Sequence, residues 1–247
     1  IKTIIVKELK SIAEKYGQPR KSIIIYDDVA RYEEETVEIP DYPVNLFFTK
    51  EGYFKKITPQ SLRMSGEQKL KDGDEIIQEL EFTNNCDLLF FTDKCQVYKA
   101  KAEDFAQTKA SVLGDYVAAK LGFDEGENAV KMVVTKDYKG MLLFAFENGK
   151  AAKVPLESYA TKTNRKKLTG AYSDKSPLVG LLYMPEDEEV LFKASSGNML
   201  LVHTGARALK TTRSTQGVAV LKPKKGHRLF SIERYKDGTF TNPKRYR

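Results

Sequence analysis

Tryptophan is absent from this chain, and cysteine and histidine each occur only twice in its 247 residues. Cys86 and Cys95 lie beside predicted strands and belong to no larger cysteine framework, which disfavours a disulfide-built scaffold and indicates a reducing compartment. His203 and His227 lack the spacing of metal ligands, which argues against a metal site. The sequence therefore points away from the common metal and disulfide chemistries.

Long apolar runs are missing as well. We find no signal peptide and no segment long enough to cross a bilayer, so we expect a cytoplasmic protein without a membrane partner. The carboxylate run at 186–189 is typical of a solvated turn, and residues 69–74 have the charges of a phosphate loop but not its spacing. We expect no active site and no cofactor within this chain.

Positive charge is in excess. The formal net charge is +7 and the isoelectric point is about 9.1. Such a balance favours polyanionic partners and says nothing about the fold.

One strand–turn–strand phrase occurs four times, at residues 46–56, 89–99, 143–153 and 191–201. All four copies carry a phenylalanine at the second position: Phe47, Phe90, Phe144 and Phe192. A lysine closes three copies, at Lys56, Lys99 and Lys153, and Leu201 closes the fourth. The copies are roughly 40–50 residues apart, as in propeller-type blades. A fifth, degenerate copy is predicted to start at Leu229-Phe230.

A further strand is predicted next to each phrase. Residues 75–82 alternate with period two, as a half-buried strand does, and similar segments lie at 129–135, 178–184 and 217–221. One such sheet cannot bury both of its faces, but several packed around an axis can. We predict an all-β, propeller-like disc of about four to five blades over residues 44–247.

The N-terminal segment differs from the rest. Residues 1–16 have an apolar stripe at helical spacing, and Gly17 and Pro19 predict the end of the helix. A short strand is expected at 23–26. Because the helix has no N-cap and no initiator Met, we expect residues 1–26 to be the end of an upstream region. The acidic segment 27–43 is interpreted as a linker or a solvated edge strand, and the functional alternative is that it competes with DNA for basic surface.

Basic residues concentrate in the loops between the predicted blades. If each blade presents the same loop, the charges recur around one circumference and match the phosphates of a bent duplex. A single lysine there is most simply a solvated residue. The shared register of the closing lysines, however, favours a common role for them as a set. The predicted DNA-binding residues are Lys55, Lys56, Arg63, Lys99, Lys101, Lys153, Arg165, Lys166, Lys167, Lys210 and Arg213.

Three segments resemble one known family. Residues 7–23 resemble the E-L-x-x-I-x-x-K-Y-G-D-x-R-R-T-x-I pattern that ends the breakage-reunion region of bacterial type IIA topoisomerase A subunits. Residues 49–56 resemble the first-blade T-x-x-G-Y-x-K-R phrase, and residues 213–218 resemble a later R-x-T-x-G-V element. The resemblance covers essentially the whole chain. It implies the C-terminal β-pinwheel of that family, preceded by a short helix left from the upstream core.

The resemblance also implies a role. In that family the disc binds double-stranded DNA around its basic rim, bends it and feeds the transported segment to the catalytic core. The implied partners are the upstream core and the B subunit of an A2B2 holoenzyme in the nucleoid. ATP and Mg²⁺ act elsewhere in that holoenzyme, and the cleaving tyrosine lies upstream, so no tyrosine here is read as the nucleophile.

One departure from the family pattern separates its two branches. Gyrase A subunits carry a Q-R-R-G-G-K-G box after the first blade, whereas residues 61–73 here read S-L-R-M-S-G-E-Q-K-L-K-D-G. The missing box predicts a topoisomerase IV-like relaxing or decatenating enzyme. Two alternatives stay open: a gyrase with a degenerate box, and a protein-interaction propeller that would use an exposed aromatic patch on one face. Tyr159, Tyr172 and Tyr183 could supply such a patch, but the favoured interpretation places them at core or hairpin positions.

Overall fold

Strands dominate the described part of the chain, as the repeated phrases predict. The computed structural model describes residues 1–18, 22, 40–64, 67–161, 166–206, 212–236, 238–240 and 242–246. The chain divides into two compact units, Ile1–Glu38 and Ile39–Arg247. The helices are α1 (Lys2–Tyr16), α2 (Pro59–Met64) and α3 (Val117–Leu121). The strands are β1 (Pro43–Thr49), β2 (Tyr53–Ile57), β3 (Ile76–Thr83), β4 (Asp87–Thr92), β5 (Gln96–Lys101), β6 (Asp115–Tyr116), β7 (Ala129–Thr135), β8 (Met141–Phe146), β9 (Lys150–Pro155), β10 (Lys167–Thr169), β11 (Leu178–Met184), β12 (Glu189–Ala194), β13 (Met199–His203), β14 (Val218–Ala219) and β15 (Leu229–Arg234).

The first unit contains α1, which carries the apolar stripe expected from the sequence. Its apolar side chains are exposed, among them Ile4, Leu9 and Ile12. The helix is followed by Gly17, which has extended backbone angles and donates its N–H to the Ala13 carbonyl. The short strand expected at 23–26 lies outside the described residues, as does most of the acidic linker. Within the described chain, no helix has both the length and the apolarity that spanning a membrane requires.

The second unit is a four-bladed, propeller-like arrangement, which confirms the predicted fold class. Each repeated phrase forms an antiparallel hairpin at the centre of one blade: β1–β2, β4–β5, β8–β9 and β12–β13. A further strand pairs with the first strand of each hairpin, and we call these the flanking strands: β3, β7, β11 and β15. Leu229 and Phe230 lie in the last flanking strand, so they complete the fourth blade and do not begin a fifth hairpin.

Three blades have a fourth strand that comes from the next repeat along the chain. We call β6, β10 and β14 the exchanged strands. β6 follows the second hairpin but pairs with β2 of the first blade. In the same way β10 pairs with β5, and β14 pairs with β9. Each of these blades is therefore completed by chain that has already passed through its neighbour.

The core lies between successive blades, which explains why the phrases are apolar on both faces. Phe48 and Phe90 pack together between the first and second blades, with ring centroids 5.7 Å apart. Phe91, the next residue, points to the other side and packs against Phe144 of the third blade at 5.8 Å. Successive residues of a strand face opposite sides of its sheet, so a strand buried on both sides reads as a continuous apolar run.

Candidate nucleic-acid interface

The closing lysines, predicted to form a DNA-binding register, instead join one blade to the next. Lys56 of the first blade donates to the Ala102 carbonyl at 2.6 Å and to Asn84 Oδ1 at 2.7 Å. Ala102 begins the 3₁₀ helix that follows the second hairpin, and Asn84 lies in the loop that precedes the same hairpin. The side chain of Lys56 is therefore held between two segments of the second blade.

Lys99 and Lys153 repeat this arrangement at the next two junctions. Lys99 donates to the Tyr159 carbonyl at 3.2 Å, in the 3₁₀ helix after the third hairpin, and its ammonium lies over the Tyr138 ring. Lys153 donates to the Thr204 carbonyl at 3.0 Å and to Asp187 Oδ1 at 2.9 Å. We call Lys56, Lys99 and Lys153 the junction lysines. Leu201, which replaces the lysine in the fourth copy, has no donor to offer.

Burial removes the junction lysines from the DNA-contacting set. Lys56 and Lys153 are 3% and 5% exposed, and Lys99 is half-buried. Burial lowers the pKa of both Lys56 and Lys99, because it disfavours their charged forms. An ammonium that is already bound to protein oxygens cannot reach a phosphate without breaking the blade junction. The shared register of these lysines thus has a structural cause, which corrects the sequence-based assignment.

Lys55 is corrected for the same reason. It is 1% exposed and donates to the carbonyl oxygens of Lys69 and Ala110, at 2.6 and 3.3 Å. Gln68 Oε1 accepts a further hydrogen bond at 3.1 Å. Burial lowers the pKa of Lys55. This lysine holds the segment that leads into β6 and does not face solvent.

Lys167 is an exposed member of the predicted set, in the exchanged strand β10. Its ammonium contacts both carboxylate oxygens of Asp124, at 2.7 and 2.8 Å, and lies over the Tyr98 ring at 5.3 Å. Hydrogen bonds from Lys167, and then from Gln96, lower the pKa of Asp124. The hydrogen bond with Asp124 raises the pKa of Lys167. A phosphate that binds Lys167 must therefore compete with a carboxylate.

Lys166 and Arg213 lie on segments that lead into exchanged strands. Lys166 is exposed, and its carbonyl accepts the Lys99 backbone N–H at 2.7 Å, which fixes the backbone beside β5. Arg213 precedes β14, is half-buried and lies over the Tyr159 ring at 5.7 Å. The equivalent segment before β6 contains Lys109, which is exposed. We call Lys109, Lys166, Lys167 and Arg213 the rim cations.

The other predicted residues do not join this group. Arg63 is exposed at the end of α2. Lys101 is exposed and pairs with Glu103 at 3.2 Å. Arg165 and Lys210 lie outside the described residues.

The three tyrosines suggested for a protein-interaction face do not form an exposed patch. Tyr159 and Tyr172 are 0% and 3% exposed, and both belong to the core between the second and third blades. Tyr183 is half-buried, and its hydroxyl donates to the Lys139 carbonyl at 3.2 Å. These side chains serve packing within the disc.

Sequence reasoning missed the importance of two residues here. It left Lys109 out of the DNA-binding set, although Lys109 lies on the segment that leads into β6, as Lys166 lies on the segment that leads into β10. It did not single out Asp124, which is far from Lys167 in sequence. Because the loops between repeats differ in length, the equivalence of Lys109 emerges only from the strand order, and the contact between Asp124 and Lys167 also required the fold.

Comparisons with known proteins point to one family. A scan against models of protein families gives no match. An alignment of 254 residues, which covers 96% of this chain, gives 26% identity to the DNA gyrase A subunit of Streptomyces coelicolor. An alignment of 207 residues, which covers 81% of this chain, gives 25% identity to the DNA topoisomerase 4 A subunit of Staphylococcus aureus. The chain spans 29% and 26% of the length of these two relatives.

Solved structures show the same fold. The C-terminal domain of a DNA topoisomerase IV superposes with a TM-score of 0.69 at 24% identity, covering 81% of this chain and 63% of that one. The C-terminal domain of E. coli ParC gives 0.58 at 14% identity, with coverages of 77% and 78%. A DNA gyrase A C-terminal domain gives 0.52 at 19% identity, with coverages of 77% and 64%. The chain is thus homologous to bacterial DNA gyrase A and topoisomerase IV A subunits and has the fold of their C-terminal β-pinwheel domains.

Proposed function

We propose that this chain binds double-stranded DNA without sequence preference, as an accessory domain of a type IIA topoisomerase. The observation that carries the proposal is the recurrence of cations on all three segments that lead into exchanged strands. Lys109, Lys166 and Arg213 occupy these segments in three successive repeats. Within the described residues, Lys109 and Lys166 have no ion-pair partner, so their charges are available to phosphates.

A repeated row of cations suits a curved duplex. Lysine and arginine bind phosphates without reading bases, and the release of counterions makes such binding strongly salt-dependent. Smoothly bending a few tens of base pairs costs about 1–6 kcal/mol, which additional phosphate contacts can offset. We infer that the domain both binds and bends DNA, with the rim cations as the primary contacts.

We further propose a topoisomerase IV-like role in relaxation or decatenation. This proposal depends on the sequence of residues 61–73, which lacks the gyrase box after the first blade. Without the box, the domain is expected to bend DNA but not to wrap it into a tight chiral turn. The upstream core and a B subunit in an A2B2 assembly are the proposed partners, and the nucleoid is the proposed location.

Duplex binding across a salt series tests DNA binding. The chain is titrated with duplexes of about 20 and about 60 base pairs at about 50 to 200 mM salt. We expect tighter binding to the longer duplex, no sequence preference and a linear fall of log K with log salt. Absence of binding at the lowest salt would overturn the proposal.

Charge-reversal variants locate the contacts. In Lys109→Glu/Lys166→Glu we expect the salt slope, the magnitude of the slope of log K against log salt, to fall by about 1.8. Each of the two lost phosphate contacts contributes about 0.9 to that slope. The matched control is Lys50→Glu/Lys139→Glu, which changes the net charge equally at exposed lysines that already pair with Glu75 and Asp137. Equal loss in both variants would show that only net charge matters and would remove the rim cations from the site.

A topological assay separates the two branches of the family. Relaxed circular DNA is incubated with the chain and a nicking-closing enzyme, and the linking number is read after deproteinisation. We expect little change. A large change of one sign would indicate chiral wrapping and would favour a gyrase with a degenerate box.

A further inference from the structure

All four blades carry an apolar residue at the same irregular position of the flanking strand. In each pairing the register slips by one residue, which is a β-bulge. Thr49 pairs with Ile76 while Phe48 pairs with Gln78, so the residue between them is left unpaired. The four unpaired residues are Ile77, Val130, Val179 and Phe230.

Three of the four unpaired side chains are exposed to solvent. Phe230 is 57% exposed, Ile77 39% and Val130 38%, and Val179 is half-buried. A bulge redirects a side chain away from the regular pleat, and repeated bulges in one family of strands act as built features of a sheet. Single exposed apolar residues need no explanation, but exposure at the same position in three of the four blades does.

Two of the bulges open onto a cavity of about 430 Å³ between the flanking strands of the second, third and fourth blades. Its wall includes the bulged residues Val130 and Val179, together with Leu178, Leu181 and Ile232. The volume lies in the range of ordinary ligand pockets, which are mostly apolar with a few polar groups that fix orientation. The cavity is therefore large enough for one or two side chains of a bound peptide.

Lys131, next to the bulge in β7, is the polar group that lacks a partner in this cavity. It is half-buried, and within the described residues no hydrogen bond or ion pair holds its ammonium. Burial lowers the pKa of Lys131, and the positive charge of Arg234 adds to this effect. A half-buried ammonium without a protein partner is only partly compensated by water, so an incoming anion would be stabilised there.

The other charged groups around Lys131 are already engaged. Asp93 lines the cavity, but its two oxygens accept hydrogen bonds from the backbone and side-chain nitrogens of Asn128, at 3.0 and 3.1 Å. Arg234 donates from Nε to Glu188 at 2.9 Å. Apolar side chains beside one unpaired ammonium complement a carboxylate that has an apolar neighbour. A DNA backbone offers the anion but not the apolar group.

We propose that this cavity is a docking site for a peptide segment of a partner protein that presents an aspartate or glutamate beside a leucine or phenylalanine. The apolar side chain packs against Val130, Val179 and Ile232, and the carboxylate pairs with Lys131. This site goes beyond DNA binding, since it uses none of the rim cations and remains available while they contact phosphates.

The test uses the full chain and two sets of immobilised hexapeptides. One set has Asp or Glu followed by Leu or Phe at its centre, and the other replaces the acids with Asn or Gln. We expect about tenfold stronger retention on the acidic set, and loss of that preference in Lys131→Met. The matched control is Lys139→Met, an exposed lysine in the loop after β7, which should retain the preference.

Two further measurements decide between occupants. Methyl NMR of the wild-type chain should show shifts at Val130, Val179 and Ile232 when the acidic peptides bind. Chemical-shift changes confined to other residues would overturn the proposal. Equal retention of the chain on the two peptide sets would also overturn it. Duplex DNA affinity of Lys131→Met should stay within about twofold of wild type. A loss equal to that of the rim variant would make the cavity a phosphate site and overturn the peptide proposal.

Discussion

Lys153 in the third blade donates a hydrogen bond to the carbonyl oxygen of Thr204 in the fourth, at 3.0 Å. The same ammonium contacts Asp187, which accepts a second hydrogen bond from the Thr204 hydroxyl at 2.7 Å. The lysine side chain is only 4% exposed, whereas that of Asp187 is 35% exposed. One lysine thus ties together the loop before and the turn after the fourth hairpin.

Replacing Lys153 by methionine should destabilise the domain by about 1–3 kcal/mol, less than for a fully buried pair because Asp187 can be rehydrated. The measurement is the free energy of unfolding in urea. Lys193→Met is the control, since its pair with Glu233 is more exposed and should contribute under about 1 kcal/mol. Equal stability of Lys153→Met and wild type would mean that the junction contact is not stabilising.

The same contact predicts a pH dependence. Hydrogen bonds from Lys153, and then from Thr204, lower the pKa of Asp187 below its ordinary value of 3.8. A carboxyl group whose pKa is lower in the folded than in the unfolded state stabilises the fold at any pH above its unfolded-state pKa. This contribution is lost as the pH falls through the folded-state pKa. Wild type should therefore exceed Asp187→Asn in stability at pH 7, and the gap should close below about pH 4. A gap that stays constant in urea unfolding at both pH values would contradict this coupling.

Asp124→Asn should strengthen DNA binding. The substitution removes the carboxylate that occupies Lys167 and leaves an amide of similar size, so the lysine can pair with phosphate instead. We expect affinity to rise about three- to tenfold at low salt and the salt slope to steepen by about 0.9. In the Lys167→Gln background the same change should have much less effect. Unchanged affinity in Asp124→Asn would remove Lys167 from the interface.

Gly217→Ala should destabilise the third blade. Gly217 has a φ of +71°, and an added Cβ would lie 1.8 Å from the Ala151 carbonyl oxygen, which is backbone of β9. We expect a loss of about 2–4 kcal/mol in urea unfolding, because that backbone cannot move aside without breaking the β9–β14 pairing. Gly73→Ala is the control, with φ +80° and open space around its Cβ, and should cost about 1–2 kcal/mol. Similar losses in both variants would show that backbone conformation alone sets the cost.

Much of the fold could be read from local pattern. The apolar phrases form the central hairpins of the blades. Both faces of these strands are buried, so their sequences are nearly continuous apolar runs. β3 alternates between exposed and half-buried residues, as the period-two pattern predicts. The exchanged strands could not be found this way, since two or three residues carry no period and their partners lie far back in the chain.

The candidate site was harder to predict for a physical reason. A lysine at the end of a strand has the same local sequence whether its ammonium reaches solvent or a carbonyl oxygen of the next blade. The common register of Lys56, Lys99 and Lys153 was real, but it reflects a repeated junction and not a repeated phosphate contact. Exposed cations such as Lys109 stand in loops whose lengths differ, so their equivalence emerges only from the strand order.

The exchanged strands have a consequence for how the chain is made. The first blade cannot close its sheet until β6 has been synthesised, and β6 emerges only after the whole second hairpin. The second and third blades wait in the same way for β10 and β14. On the ribosome, a blade with an open edge must therefore persist until the following repeat has emerged, so folding should proceed as a relay in which each repeat closes the one before it.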